Sequence, residues 1–228
     1  MTLNLKTMAL ATAAMSIFAA APAAAQVGGV GTANSTVAIA QAKALVPAYQ
    51  QIETTYKSYL DQIQTKRQEM QGLLAKLDKN GDKNVDQAEM DAAEAAKNPI
   101  LGQIEAKEKE ISSLQTPIAK ARMFVIDQLI DKYPAAQQAV VTSKKLNYIL
   151  SPEAFVWAPP AIDVTPAITA ELDKLVPTVN ATPAADWNPD QQTYSVYQQL
   201  QQLFAAAAQR AAAQQQGAAA SGQQPAGR

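Results

Sequence analysis

The stretch that decides the fold is residues 45–77, LVPAYQQIETTYKSYLDQIQTKRQEMQGLLAKL. Two interleaved series of period seven run through it, and nine of their ten members are apolar or aromatic. The first series is Leu45, Ile52, Tyr59, Lys66 and Leu73, and the second is Tyr49, Tyr56, Ile63, Met70 and Leu77. This spacing keeps one narrow stripe of a helix facing a partner helix, so it predicts a coiled coil.

A second helical pattern, residues 100–132, supplies the partner helix. Its stronger series is Ile104, Ile111, Ile118 and Val125, and its weaker series is Ile100, Lys107, Leu114 and Ala121. Both patterns are 33 residues long, and at 1.5 Å per residue each helix extends about 50 Å. Equal lengths around one connection predict an antiparallel hairpin over residues 45–132. Its tip is expected at 78–99, and Pro117 is expected to kink the second arm.

A small β body flanks the hairpin in the sequence. Residues 26–44 contain a glycine-rich leader and a first strand at 35–40, STVAIA, whose β-branched residues favour that conformation. Residues 133–177 contain two further strands, 146–150 and 154–158, and a closing helix. Three strands of about five residues each cannot bury a sizeable core in one chain. The body is therefore expected to be an oligomeric, barrel-like sheet completed by neighbouring subunits.

Proline sets the expected boundaries after the second arm. Pro134 is expected to end that arm, and Thr165 is expected to cap a closing helix at 166–176. The apolar stripe of the closing helix is Ile168, Leu172 and Leu175. Residues 178–228 change to a linker, a short amphipathic stretch and an Ala/Gln tail, which is expected to be disordered from Gln209 onward.

The first 25 residues predict a cleaved signal peptide. Lys6 supplies a positive start, an uncharged apolar run covers 8–21, and AAA at 23–25 fits a cleavage site. The alternative is a membrane anchor, which is disfavoured because the run is shorter than the roughly 20 residues that a bilayer span needs. The mature chain is expected to begin at Gln26.

Composition argues against most catalytic functions. The chain contains no histidine and no cysteine, so the commonest general base, transition-metal ligand and nucleophile pairs are absent. No phosphate-binding glycine motif occurs. The mature chain is slightly acidic, because the signal peptide removes one of 19 basic residues and none of the 20 acidic residues. Neither an enzyme nor a nucleic-acid-binding protein is expected.

The order of the elements resembles that of the Skp/OmpH family of chaperones. The most specific resemblance covers 146–177, LNYILSPEAFVWAPPAIDVTPAITAELDKLVP, which is similar to the family's C-terminal strand, turn, strand and helix. The resemblance implies a mainly α, Skp-like trimer, in which strands of three chains form the body and three hairpins form tentacles around a cavity. It also implies a periplasmic, ATP-independent holding chaperone for unfolded outer-membrane β-barrel proteins, with no required cofactor.

Two details qualify what the resemblance implies. Binding of lipopolysaccharide is not carried over, because the family's basic patches have no counterpart in this slightly acidic chain. Four side chains of the first arm are candidates for client contact, since aromatic and methionine side chains suit adaptable surfaces. They are Tyr49, Tyr56, Tyr59 and Met70. The alternative is that these side chains fill the coiled-coil seam.

The tip carries a pattern similar to an EF-hand calcium loop. Oxygen ligands would come from Asp78, Asn80, Asp82, Asn84, Asp86 and Glu89. Lys83 occupies the position where such loops have glycine, so it would have to adopt a positive φ. The pattern predicts weak Ca²⁺ binding, and the alternative is a polar turn. A second hypothesis for the whole protein is accordingly a periplasmic structural or adaptor coiled coil with a calcium-binding tip.

Overall fold

The computed structural model describes residues 29–221, and the chain is mainly helical. The predicted signal peptide, residues 1–25, lies outside the described residues. The strands are β1 (Val30–Thr32) and β2 (Tyr148–Leu150). The helices are α1 (Ser35–Ala40), α2 (Leu45–Thr55), α3 (Lys57–Leu74), α4 (Gln87–Ala95), α5 (Pro99–Lys144), α6 (Thr165–Leu175) and α7 (Gln191–Ser221). Short 3₁₀ turns at Pro152–Ala154 and Pro160–Ile162 connect β2 to α6.

The predicted hairpin is present, with α2 and α3 as one arm and α5 as the other. Lys66 pairs with Glu110 while Glu69, later in α3, pairs with Lys107, earlier in α5, so the two helices are antiparallel. The buried residues of the arms follow the two predicted periods. They are Leu45, Ile52, Ile63 and Leu73 on the first arm and Ile104, Ile111, Ile118 and Val125 on the second.

The first arm is interrupted once, at Tyr56. That residue has φ −101° and ψ 19°, outside the helical range, and its N–H donates to the Ile52 carbonyl oxygen over 2.8 Å. The helix resumes at Lys57 and continues to Leu74. The seam continues across the break because Ile52 and Ile63 are both buried against α5.

The second arm is longer than predicted. The expected end at Pro134 is wrong, because α5 runs through both Pro117 and Pro134 to Lys144 and contains 46 residues. Beyond Pro134, Ala136 and Val140 are buried in the body, and this packing offsets the hydrogen bond that proline cannot donate. The helix ends where Lys145 adopts a left-handed φ of 53°.

The first strand was predicted at the wrong residues. Residues 35–40 form α1, because the Asn34 side chain caps that helix by accepting from the Val37 N–H over 3.0 Å. Packing of Ala38 and Ile39 in the core then outweighs the β propensity of the segment. The strand is instead β1, which pairs parallel with β2 in the register Val30 to Tyr148 and Thr32 to Leu150.

The predicted strand at 154–158 is also absent. The chain makes a 3₁₀ turn at Pro152–Ala154 and then continues without regular structure to Pro159. Pro152, Pro159 and Pro160 have no N–H to donate to a ladder, which explains why pairing ends after β2.

The closing helix forms almost where it was expected, as α6. Ile168 and Leu172 are fully buried in the core, but Leu175, the third member of the predicted stripe, is 48 % exposed. The expected cap at Thr165 is wrong, because Thr165 is already the first residue of α6 and Val164 is the cap; the Oδ1 of Asp163 accepts from the Thr165 N–H over 2.8 Å. The Thr165 hydroxyl instead accepts from the Asn34 N–H over 3.1 Å and joins the start of α6 to the start of α1.

The C-terminal segment, residues 176–200, packs on the body instead of forming the predicted linker. Ala181 is 2 % exposed and Leu200 is completely buried. Gln128 of α5 makes two hydrogen bonds to Asn180, donating to its carbonyl oxygen over 2.8 Å and accepting from its N–H over 2.9 Å. The segment is therefore part of the body core.

The predicted disorder from Gln209 onward is wrong as far as Ser221, because α7 continues to that residue. Alanine and glutamine are favourable in helices, and neither the composition nor the low apolar content of this stretch prevents one. The side chains from Ala207 to Gln215 are exposed, so this part of α7 adds nothing to the core. Residues 222–228 lie outside the described part of the chain.

Candidate functional site

The four candidate client-binding residues do not share one environment. Tyr49, Tyr56 and Met70 are half-buried and pack against the core, as the seam alternative predicts. Tyr59 is 40 % exposed, and its ring meets the edge of Tyr56 at 5.8 Å between centroids. Of the four, Tyr59 offers the most surface to a partner.

Tyr49 lies in an electrostatically unusual position at the base of the arms. Burial raises the pKa of its hydroxyl well above the ordinary range, and the nearby Arg122 guanidinium opposes that shift. The guanidinium carbon of Arg122 lies 5.6 Å from the Tyr49 ring centroid. The Tyr49 hydroxyl and Arg122 Nε are both buried, and neither has a hydrogen-bond partner among the described residues.

The two lysines that interrupt the heptad series meet in an ion network between the arms. Lys66 Nζ lies 2.8 Å from Glu110, and Lys107 Nζ lies 2.8 Å from Glu69. Each lysine also contacts the acid on its own helix, at 3.6 and 3.3 Å. Hydrogen bonds from the lysines lower the pKa of both Glu69 and Glu110. The interruptions in the apolar pattern are therefore complementary polar contacts, which fix the register of the hairpin.

Apolar side chains are exposed on β2 and on the loop that follows it. We call this set the body apolar surface. It consists of Tyr148, Leu150, Val156 and Trp157, and Trp157 is 78 % exposed. The sequence predicted these residues in paired strands, but a single chain leaves them facing solvent. The two-stranded sheet also has an unpaired edge on each strand within the described chain, apart from an isolated bridge between Thr32 and Asp163.

The tip loop precedes α4, and five of the six predicted calcium ligands lie within it, while Glu89 lies in the first turn of α4. Glu89 is buried and spans the loop: its Oε1 accepts from the Lys79 and Asn80 N–H groups over 2.7 and 3.1 Å. Its Oε2 accepts from the Asp86 N–H over 3.3 Å, while Asp86 accepts from the Glu89 N–H in a reciprocal capping box.

Asp78, Asn80 and Asp82 also accept from the loop backbone. The two carboxylate oxygens of Asp78 accept from the Gly81 and Lys83 N–H groups over 2.6 and 2.9 Å. Asn80 and Asp82 accept from the N–H groups two residues later. Lys83 has φ 68°, the left-handed conformation that the calcium-loop pattern requires at its position. Between residues 29 and 221, however, no three acidic side chains converge closely enough to hold a metal ion.

Sequence reasoning missed the polar contacts that fasten the C-terminal segment. Asp127 of α5 accepts from Trp187 Nε1 over 3.2 Å and from the Thr193 hydroxyl over 2.7 Å. The Trp187 ring lies edge-on to Phe124 with centroids 5.1 Å apart. The partners are 60 or more residues apart in the chain and follow no motif, so the available signal was only a lone tryptophan in a polar stretch.

The fold defines the class of protein: a long antiparallel helical hairpin on a small body with a two-stranded parallel sheet. The family model described as outer membrane protein (OmpH-like) matches residues 29–172. This match covers more than half of the chain, so the protein belongs to the OmpH-like family. The C-terminal segment and α7 lie beyond the matched residues.

One solved structure with similarity to the chain is a candidate OmpH-like outer membrane chaperone from Caulobacter crescentus. It is 20 % identical over 67 % of this chain and 88 % of the other, with a TM-score of 0.42. No curated protein matches the chain. Between residues 29 and 221, no helix is long and apolar enough to cross a bilayer.

Proposed function

We propose that this protein is an ATP-independent holding chaperone that binds unfolded outer-membrane β-barrel proteins in the periplasm. Membership of the OmpH-like family is the observation that carries the proposal. The hairpin supports it, because two long arms that project from a body can surround part of a client. Many weak apolar contacts bind diverse unfolded chains without a specific sequence, and such binding needs no nucleotide.

We further propose that the working form is a homo-oligomer, with a trimer as the expected number. The body apolar surface supports this step, since Trp157 and Val156 are almost fully exposed in a single chain. Burying such side chains between subunits is favourable by about 25 cal/mol per Å² of apolar surface. The open edges of β1 and β2 can also pair with a neighbouring chain.

Light scattering on the mature chain tests the assembly. Three copies per particle are expected at micromolar concentration, and Trp157→Ala is expected to shift the mass toward the monomer while helicity is retained. Trp187→Phe is the matched control, because Trp187 packs within its own chain against Phe124. A wild-type protein that stays monomeric and fully helical would contradict the oligomer.

Suppression of aggregation tests the holding activity. A urea-unfolded outer-membrane β-barrel protein is diluted into buffer with stoichiometric chaperone and no nucleotide, and turbidity is followed. Wild type is expected to keep the client soluble, and Tyr59→Ser is expected to weaken the effect. Tyr194→Ser is the control, because Tyr194 is 50 % exposed on α7, a helix that belongs to neither arm. Equal turbidity with and without the protein would instead favour the structural or adaptor coiled coil.

A further inference from the structure

A cleft of about 550 Å³ lies between the two arms near the body. Its cationic side chains are Arg67 on α3 and Arg122 on α5, so each arm contributes one. Gln64 and Gln115 add neutral amides, and Ile63 and Ile118 form apolar walls. The volume falls within the range of small-molecule binding sites in proteins.

Neither arginine of this cleft has an anionic partner in the part of the chain that the structure describes. Among residues 29–221 no carboxylate lies within ion-pair distance of Arg67 or Arg122, and neither side chain makes a hydrogen bond. The neighbouring acids on the arms, Glu69 and Glu110, are held by Lys66 and Lys107 instead. Two guanidinium groups are thus available to an outside anion.

Arg122 is the more constrained of the two arginines. Its Nε is buried and has no hydrogen-bond partner, beside the equally unpartnered hydroxyl of Tyr49. A buried donor that has lost water and gained no partner destabilises the protein that holds it. A bound anion cannot reach the buried Nε, but it can accept from the terminal amino groups of the same guanidinium, which are not among the buried unpartnered atoms, and so offset part of that cost. Arg122 also lines the cleft, and the two observations together favour a binding site over a packing defect.

The chemistry of the lining selects the kind of anion. A guanidinium group matches the two oxygens of a carboxylate with two parallel hydrogen bonds. Four of the nine lining residues are aliphatic, which suits a ligand with an apolar body better than a strongly hydrated inorganic ion. We propose that this cleft binds a carboxylate attached to an apolar or aromatic group, with Arg67 and Arg122 as the recognition residues.

The C-terminal segment helps to build this site. Tyr197 of α7 lines the cleft, and α7 lies beyond residues 29–172, which match the family model. The site therefore includes a residue from outside the part of the chain that matches the family model. The proposal for this cleft also stands independently of the proposed holding activity. Its ligand comes from one of two sources: a free small carboxylic acid, or a polypeptide whose terminal carboxylate follows an apolar residue.

Isothermal titration of the full mature chain at constant ionic strength tests the site. The probes are 4-phenylbutyrate, its neutral isostere 4-phenylbutyramide, inorganic phosphate, and a tripeptide that ends in Leu-Phe with either a free or an amidated terminus. A free acid is expected to bind about tenfold or more tightly than its matched amide, because a charge-assisted pair is lost in the amide. The stronger of the two free acids identifies the source.

Substitutions localise the binding. Arg122→Met and Arg67→Met are each expected to weaken binding of the free acid about tenfold or more, with the melting temperature recorded for each variant. Arg210→Met is the matched control, because Arg210 is exposed on α7. The proposal is overturned if neither acid binds, if the amide or phosphate binds equally well, or if Arg67→Met, which removes the less buried arginine, leaves the affinity unchanged.

Discussion

The hairpin arms and the C-terminal segment are held in place in different ways. Most of the apolar residues that the arms bury fall on the predicted period of seven along two helices, and the ion network of Lys66, Glu69, Lys107 and Glu110 lies where that pattern is interrupted. The C-terminal segment relies on single contacts, above all Leu200 in the core and Asp127 beneath Trp187. A periodic interface spreads its stability over many positions, whereas an irregular one concentrates it in a few.

The largest expected effect is therefore at Leu200. Leu200→Ala should lower the free energy of unfolding by about 2–5 kcal/mol, because the side chain is completely buried and the space left behind cannot fully collapse. Chemical denaturation followed by circular dichroism measures the change. Leu203→Ala, on the same helix but 36 % exposed, should cost much less. Equal and small effects of both substitutions would show that the C-terminal segment does not belong to the core.

A smaller loss is expected at Asp127. Asp127→Asn should cost about 1–3 kcal/mol, since the amide cannot accept from both Trp187 and Thr193 with the strength of a carboxylate. The same denaturation experiment measures it, and tryptophan fluorescence reports on the Trp187 environment. Asp131→Asn is the control, because Asp131 is exposed one turn further along α5. If the two variants unfold alike, the contacts to Asp127 contribute nothing to docking.

The difference between the periodic arms and the irregular C-terminal segment explains what could be predicted from the sequence. The heptad positions of the arms and the buried face of α6 follow from local periodicity, and the structure bears them out except at Tyr59 and Leu175, which are exposed. The positive φ of Lys83 likewise follows from its position in the tip pattern. By contrast, the helix at 35–40 depends on Asn34 and on packing with α6, and the C-terminal docking depends on pairs such as Asp127 and Trp187. Such contacts join residues far apart in the chain and leave no periodic trace.

The candidate sites also have a part that the sequence predicted and a part that depends on contacts between the arms. All four proposed client-binding residues lie on one arm as expected, but burial separates Tyr59 from Tyr49, Tyr56 and Met70. The period of seven does not indicate which member of a seam faces solvent, because that depends on the partner helix. The arginine cleft was missed for a similar reason, since Arg67 and Arg122 belong to different arms and no spacing connects them.

Acidification should weaken the contact between the two arms. The lysines lower the pKa of Glu69 and Glu110 in the folded state. The ion network therefore stabilises the folded chain fully at a pH above the ordinary pKa of glutamate. This stabilisation is lost as the pH falls below about 4.5 toward the folded-state pKa values. The double variant Glu69→Gln, Glu110→Gln should thus be less stable than wild type at pH 7 and nearly equal to it at pH 3. A stability difference that does not change with pH would rule out this role for the network.

The smallest expected effect is at the tip, where the spacing of residues predicts weak binding of Ca²⁺. Glu89→Gln should abolish binding, because it removes one oxygen of the bidentate ligand. The same change also disturbs the loop, since the Glu89 carboxylate accepts from the backbone N–H groups of Lys79, Asn80 and Asp86. Circular dichroism without calcium is therefore needed to separate a lost ligand from a disordered tip.

Lys83 gives the cleaner test of calcium binding. Lys83 has φ 68°, and where the free and calcium-bound loops share this conformation, relief of backbone strain by Lys83→Gly stabilises both loops alike and leaves the affinity unchanged. Only removal of the positive charge should tighten binding, on the order of twofold and less at high salt. Lys83→Gln removes the charge but keeps a side chain, so calorimetry should give it the same affinity as Lys83→Gly. A glycine variant that binds much more tightly than the glutamine variant would mean that the loop changes conformation on binding. The absence of heat at millimolar calcium in all three proteins would leave the polar turn as the explanation of the pattern.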